Sequence, residues 1–404
     1  MSQHDGLKAL LLENIHPDAS ERLKEAGFAV DSRAKSLRPD ELRSALRGVS
    51  ILGVRSKTSV SEDALRSADS LLAVGSYCVG TDNVDLGACM DLGAAVFNAP
   101  YSNTRSVAEL VIGEIIMLLR GIFEKSVKLH AGAWEKSSAG AREVRGKRLG
   151  IIGYGNIGGQ VGILAEALGM EVLYFDIMDK LSIGNARRCR SMAEVLEKAD
   201  VVTLHVDDNP RNVGLVGEKE FAAMRPGAAF LNLSRGRVVD LKALAKSLKD
   251  GRLSGAAVDV FPEEPSANGD AFHCGLEALG NVILTPHVGG STVEAQRNIA
   301  SYVSDKLVQY VRTGDSLYSV NFPQVQLPML KGQHRLLHIH RNVPGVMSQI
   351  STILASNGIN ITGQYLETNE RIGYAITDIG KRYSSDVIDE LRGVRATIRL
   401  RVLY

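Results

Sequence analysis

The chain has 404 residues, 45% hydrophobic and 23% charged, and a formal net charge of +1 at pH 7. That length exceeds one ordinary core, so two or three domains are expected. The near-zero charge excludes an overall field that would draw the chain to nucleic acid or to an anionic membrane surface. The four cysteines, at 78, 89, 189 and 274, form no CxxC pair, so neither a zinc site nor a disulfide framework is expected. The apolar run at 9–12 is followed at once by Glu13 and reads as a strand, not a signal peptide. The apolar stretch at 111–119 contains Glu114 and is too short to span a bilayer. A reducing cytoplasm is the expected location.

Residues 8–100 alternate short apolar strands (8–13, 50–54, 71–74, 94–97) with amphipathic helices (17–26, 62–68, 83–92). This rhythm predicts a parallel sheet covered on both faces, with ligands beyond the carboxyl ends of its strands. Those ends carry Arg55-Ser56-Lys57, Tyr77-Cys78-Val79-Gly80 and the amide-rich stretch from Asn98 to Asn103, a set suited to a small anion. Residues 104–132 read as one long helix or two in series, with Ser106 and Glu109 at capping-box spacing. Trp134, the one tryptophan, lies beside Lys136 in a polar stretch, where an exposed indole marks an interface.

The next segment organises the chain. The run Leu149-Gly150-Ile151-Ile152 predicts a buried strand, and 159–168 has helical spacing. Between them stands Gly153-Tyr154-Gly155-Asn156-Ile157-Gly158, a glycine pattern on a strand-to-helix turn. There the first glycine makes the turn, the second admits a pyrophosphate and the third lets helix pack on strand. A second strand, 171–175, ends in Asp176, eighteen residues past Gly158, at the distance of the acid that holds the ribose hydroxyls. Asp176 would repel a 2′-phosphate, which favours NAD over NADP.

Strands at 201–205, 229–233, 256–260 and 281–284 continue the alternation, each leading into a distinctive loop. Leu233 leads into Ser234-Arg235-Gly236, the next strand into Glu263-Glu264-Pro265, and the last into Pro286-His287. Hydride transfer from a carbinol carbon to nicotinamide needs a base for the hydroxyl proton and a fixed cation for the neighbouring carboxylate. Histidine suits the first task and arginine the second, and a carboxylate on the imidazole orients it. Arg235, Glu264 and His287 supply that set, with Glu263 as the adjacent rival for the acid. His205 ends a strand without an evident acid partner and reads as core or rim.

After His287, Ser291 and Glu294 again have capping-box spacing before a helix running to about 311. Residues 315–332 read as a linker. From 335 the order is strand, helix, two strands, helix, strand (335–340, 345–356, 360–367, 372–379, 385–391, 395–403), the ferredoxin-like arrangement of a small separate domain.

Taken together, the glycine turn, Ser234-Arg235-Gly236, Asp259 to Pro265 and the Pro286-His287 loop resemble the D-isomer-specific 2-hydroxyacid dehydrogenases. With the stretch from Asn98 to Glu109 and the C-terminal domain, the chain is most similar to members of that family that carry an ACT regulatory domain. The resemblance covers essentially the whole chain. It implies two doubly wound α/β domains, one flavodoxin-like and substrate-binding (1–102 and 290–331), one a Rossmann domain for NAD (103–289), and an ACT domain (332–404). The activity it implies is NAD-dependent oxidation of 3-phosphoglycerate to 3-phosphohydroxypyruvate, the first step of L-serine biosynthesis.

The resemblance also distributes roles. Arg235 would bind the substrate carboxylate, His287 would be the acid/base and Glu264 its partner. Gly153, Gly155, Asn156, Ile157, Gly158, Asp176, Leu233, Ser234, Arg235, Asp259, His287, Gly289 and Gly290 would face the cofactor. Arg55, Ser56, Lys57, Val79, Gly80 and Asn103 would face the substrate, with Trp134 and Lys136 reaching a neighbouring subunit's site in a homotetramer built through NAD and ACT domains. His340, Asn342 and Asn360 match positions that hold L-serine as a feedback inhibitor, although Arg341 and Val343 depart from the acidic residue and the arginine expected there. No metal is implied. Two other readings of the family resemblance are reduction of another 2-oxo acid such as 2-oxoglutarate, and an NADH-sensing corepressor on the same fold.

Overall fold

A computed structural model describes residues 6–265, 269–328, 332–380 and 383–403. The chain divides into two compact units, residues 1–102 with 296–404, and residues 103–295.

In the first unit, β1 (Lys8–Leu11), β2 (Ala29–Ser32), β3 (Ile51–Val54), β4 (Ala73–Ser76) and β5 (Ala95–Phe97) form a parallel sheet in the order β2-β1-β3-β4-β5. That is the flavodoxin-like order. The central strands β3 and β4 are buried at every position, as a parallel sheet covered on both faces requires. Strand β2 and the helix Pro39–Ala45 are additions to the sequence reading. Three of the four residues of β2 are exposed, so no apolar run announces it. The helix expected from 83 begins only at Leu86, capped by the Asp85 carboxylate on the Ala88 N–H at 2.9 Å.

The second unit holds β6 (Arg148–Ile152), β7 (Glu171–Phe175), β8 (Arg187–Arg188), β9 (Val201–Leu204), β10 (Ala228–Asn232), β11 (Leu253–Val258) and β12 (Val282–Leu284). They pair in parallel in the order β12-β11-β10-β9-β6-β7-β8. The strand order reverses between β6 and β9, which is where a doubly wound sheet opens its ligand crevice. The stretch from 104 is two helices, Thr104–Arg120 and Ile122–His130, broken at Gly121 with φ of 59°. Neither expected capping box forms. Ser106 lies inside the first helix, which starts after Asn103, and its hydroxyl bonds Thr292 at 2.8 Å. The helix Val293–Thr313 is capped instead by Thr292, whose hydroxyl accepts the Ala295 N–H at 3.1 Å.

A third sheet belongs to the first unit: β13 (His334–Arg341), β14 (Ile361–Thr368), β15 (Ile372–Ile379) and β16 (Thr397–Leu403), antiparallel, in the order β14-β15-β13-β16. Alternation along the strands gives it two apolar faces. Leu337, Ile339, Tyr374 and Ile376 join one core with Phe97, Tyr310 and Phe322. Leu336 and Ile379 pack instead with the helices Val346–Ser356 and Ser385–Arg392. Arg335 and Asp378 form a fully buried ion pair at 2.7 Å, and the same guanidinium donates to the carbonyls of Thr313 and Pro328. The domain boundary expected at 331 lies outside the described residues. No helix among the described residues is long and apolar enough to cross a membrane.

Candidate active site

The glycine turn follows β6, and its helix runs Asn156–Ala167, three residues earlier than its apolar spacing indicates. Gly153 sits at φ of 90°, and a Cβ there would come within 2.4 Å of the His205 carbonyl oxygen. A Cβ on Gly158 would meet the Gly153 carbonyl at 2.3 Å, whereas one on Gly155 would meet nothing within 4 Å. Two glycines are therefore required by the protein's own packing, and the middle one faces open space. No side chain caps the helix at Gly155, so the first N–H groups at Asn156, Ile157 and Gly158 point at that space, the arrangement that takes a pyrophosphate. Asp176 follows β7 and accepts the Tyr154 N–H at 2.7 Å and the Met178 N–H at 2.8 Å. Each carboxylate oxygen keeps a further lone pair for a ribose hydroxyl. The residues present thus fit a dinucleotide.

Beyond the carboxyl ends of β10, β11 and β12, three loops meet. Arg235, Glu264 and His287 line one cavity of about 250 Å³, together with Asp208, Arg237 and Phe261. His287 Nδ1 lies 2.8 Å from Glu264 Oε2. The pair is partly exposed, 52% for the imidazole and 35% for the carboxylate. The Glu264 hydrogen bond and charge raise the His287 pKa against the opposing effect of burial. Burial alone would raise Glu264, but the His287 bond, the Phe261 N–H and the imidazole charge outweigh it and hold that carboxyl below its usual range. The rival Glu263 makes no such bond among the described contacts. His287 itself has φ of 53°, a strained conformation for a residue with a side chain.

Two buried polar residues knit these loops together. Asn232 accepts the N–H and hydroxyl of Ser234 and donates to the Arg235 carbonyl at 3.0 Å. Asp259 accepts the Thr285 hydroxyl at 2.6 Å and the N–H groups of Val288 and Gly289 at 2.8 Å each. Sequence reasoning missed Asn232 altogether and gave Asp259 only a cofactor role. Leu233 is buried beside Gly289, and Gly290 presses against the Asn103 amide, whose oxygen is buried without a partner. The Arg235 guanidinium donates to the Ser234 carbonyl at 2.8 Å. His205 is partly buried; desolvation pushes its pKa down to about 3, and Nε2 lies 3.1 Å from the Thr203 hydroxyl.

The other expected anion-binding loops lie in the first unit. Arg55 is half-buried, with Ser56 and Lys57 exposed. Glu13 holds this loop by accepting the N–H groups of Lys57 and Thr58 at 2.9 and 2.7 Å. Asn83 donates to the carbonyls of Arg55 and Thr58. Neither residue was legible as a support. The Val79-Gly80 loop is tied in the same way by Asn98 and Ser76. Trp134 is 80% exposed and Lys136 is also exposed. On the third sheet, His340 is buried, with Nδ1 on the Arg341 carbonyl at 2.8 Å and Nε2 without a hydrogen-bond partner among the described residues. Asn342 donates to the Asn369 carbonyl at 2.8 Å, and Asn360 is exposed.

Comparison with known proteins bears on this geometry. Residues 112–289 match the model of the D-isomer specific 2-hydroxyacid dehydrogenase NAD binding domain, and residues 336–399 the AHAS small subunit-like ACT domain. The chain is 47% identical over 399 residues to D-3-phosphoglycerate dehydrogenase of Haemophilus influenzae, covering 98% of this chain and 97% of that one. It is 48% identical over 400 residues to that of Dictyostelium discoideum, covering 99% and 98%. Among solved structures, the TT0316 protein of Thermus thermophilus aligns with a TM-score of 0.68 at 30% identity, over 76% of this chain and 97% of that one. The glycine turn, the strand-end loops and full-length similarity of this degree agree: the chain belongs to the D-isomer-specific 2-hydroxyacid dehydrogenase family, in its D-3-phosphoglycerate dehydrogenase branch.

Proposed function

We infer that this protein oxidises 3-phosphoglycerate to 3-phosphohydroxypyruvate with NAD, the first step of L-serine biosynthesis. The observation that carries the chemistry is the His287–Glu264 pair opening on the cavity that Arg235 lines. With Nδ1 committed to Glu264, the neutral imidazole keeps its Nε2 lone pair for the substrate hydroxyl proton. Arg235, anchored on one side by the Ser234 carbonyl, presents the rest of its fork to the substrate carboxylate, which orients the carbinol carbon. Glu264 stabilises the imidazolium as it forms and returns it to the same orientation for the reverse reaction. NAD, when bound, supplies the hydride acceptor; Gly153 to Gly158 would hold its pyrophosphate and Asp176 its ribose, with Leu233, Ser234, Asp259, Gly289 and Gly290 toward the nicotinamide.

We assign residues 1–102 and 290–331 to substrate binding, 103–289 to NAD and 332–404 to regulation. Arg55, Ser56, Lys57, Val79, Gly80 and Asn103 would contribute contacts to the anionic substrate, and Trp134 and Lys136 would do so in a second copy. Support for a homotetramer comes from the exposed apolar residues Ile122, Phe123, Val127 and Leu129 on one helix, continued by Trp134. L-Serine would be held at His340, Asn342 and Asn360; the unpartnered, buried Nε2 of His340 is a ready acceptor for its ammonium or hydroxyl group. The four cysteines are all free, in keeping with a reducing cytoplasm.

The test is NADH consumption with 3-phosphohydroxypyruvate, with and without L-serine. Fast consumption suppressed by serine is expected. Consumption indifferent to serine would overturn the effector assignment alone, and no consumption would overturn the activity.

A further inference from the structure

The catalytic cavity contains a second guanidinium that the chemistry above does not use. Arg235 and Arg237 flank Gly236, and all three line the same space. Gly236 allows this because a Cβ there would overlap the Phe261 carbonyl group, at 1.9 Å from its carbon. The turn is thereby pressed onto the Phe261-Pro262 segment, and both arginines are left at the cavity wall. Their Cα atoms, two residues apart, lie within roughly 7 Å of each other. A three-carbon acid with an anionic group at each end has comparable reach.

The partners of the two arginines differ. Arg235 has a backbone carbonyl and a free fork. Arg237 donates to Asp208 at 2.9 Å, the carboxylate coming from the loop after β9. That pair is open to water: the arginine side chain is 60% exposed and the aspartate 24%. Exposed pairs of this kind contribute little to stability and exchange partners easily. The Arg237 backbone is fixed independently of its side chain, since its carbonyl accepts the Gly214 N–H at 2.9 Å. The side chain is thus a cation on a fixed stem, held by a replaceable partner, in a cavity whose other acid is committed to His287.

We propose that Arg237 is a specificity-determining residue that leaves Asp208 to bind an anionic group at the far end of the substrate, a phosphate ester or a second carboxylate. This rests on the dehydrogenase reading above. Asp208 holds the Arg237 guanidinium when no such group is present, and substrates lacking the group gain nothing from it.

The test compares wild type, R237Q and D208N in NADH oxidation with 3-phosphohydroxypyruvate, 2-oxoglutarate and hydroxypyruvate. For R237Q, kcat/KM on 3-phosphohydroxypyruvate relative to hydroxypyruvate is expected to fall about tenfold or more, chiefly through KM, as loss of one charge-assisted contact implies. A parallel fall on 2-oxoglutarate identifies general anion recognition; a fall confined to the phosphorylated substrate identifies a phosphate site. D208N is expected to keep or lower that KM. Equal losses on all three substrates, no loss, weakened NADH binding by fluorescence titration, or a D208N defect matching R237Q would make the pair a loop brace and overturn the proposal. A wild type inert on all three substrates would instead overturn the dehydrogenase reading itself.

Discussion

Two ion pairs of nearly the same length have opposite fates in this protein. His287–Glu264 spans 2.8 Å and Arg335–Asp378 spans 2.7 Å. The first stands at a cavity wall, half in water. The second is 1% and 3% exposed, and its guanidinium is also bound to the carbonyls of Thr313 and Pro328. An imidazole beside a carboxylate and in reach of solvent can take and release a proton. A cation that never titrates, sealed in a core, can only fix segments to one another. Burial and the choice of cation, not the distance, separate the chemical device from the structural one.

The largest effect expected from breaking this contrast is at His287. H287A should lose turnover by about 10²–10⁴-fold, the range for removing a general acid/base. NADH binding and melting temperature should stay near wild type, because the imidazole is half-exposed and apart from the glycine turn. Steady-state kinetics with a fluorescence titration check this, and turnover within tenfold of wild type would remove His287 from the mechanism. In the buried pair, D378A should cost about 3–5 kcal/mol of stability, since it strands a guanidinium in the core. The double replacement R335M/D378L should recover most of that loss. Denaturant unfolding measures both, and a D378A protein as stable as wild type would show the pair to be dispensable.

The same contrast explains what could be read from the sequence. The glycine turn and Asp176 were legible because their logic is local: a strand, a turn, a helix and a second strand in one short segment. Arg235, Glu264 and His287 were legible because apolar strand runs end just before them. The supports were not. Glu13 holds the Lys57-Thr58 backbone from more than forty residues away, and Asn232 and Asp259 act through backbone groups that carry no sequence signal. Arg335 and Asp378 stand more than forty residues apart, and only the pairing of β13 with β15 places them opposite each other. Strand β2 escaped because it faces water, and the two capping boxes failed because Asn103 and Thr292 begin those helices instead.

A smaller effect sharpens the account of the titrating pair. Glu264 raises the His287 pKa, so wild type should lose its oxidative kcat/KM on the acid side as the imidazole protonates at that raised value. In E264Q the charge and the strong bond are gone, and the imidazole returns toward its ordinary range. The acid limb of the profile should then move to lower pH, while the maximum rate falls because the ring is less well oriented. The reductive direction, which needs the protonated ring, should lose activity at lower pH than in wild type. A pH profile in both directions decides this, and a limb that does not move would show that Glu264 does not set the state of His287.

The smallest effect concerns a third carboxylate, one bonded to backbone N–H groups rather than to a cation. Asp176 takes two backbone N–H groups and so shapes the turn, besides the ribose role proposed for it. D176A removes the charge that would repel a 2′-phosphate and the acceptor for the ribose hydroxyls. The preference for NADH over NADPH should narrow by about tenfold, mostly through a weaker KM for NADH, consistent with losing one charged hydrogen-bond acceptor. Because the Tyr154 and Met178 N–H groups lose their acceptor too, part of the NADH loss will come from a loosened turn. D176N, which keeps an acceptor oxygen without the charge, separates the two contributions. If NADPH use rises in both variants, charge sets the preference; if only D176A changes, the carboxylate matters here mainly as the clamp on the glycine turn.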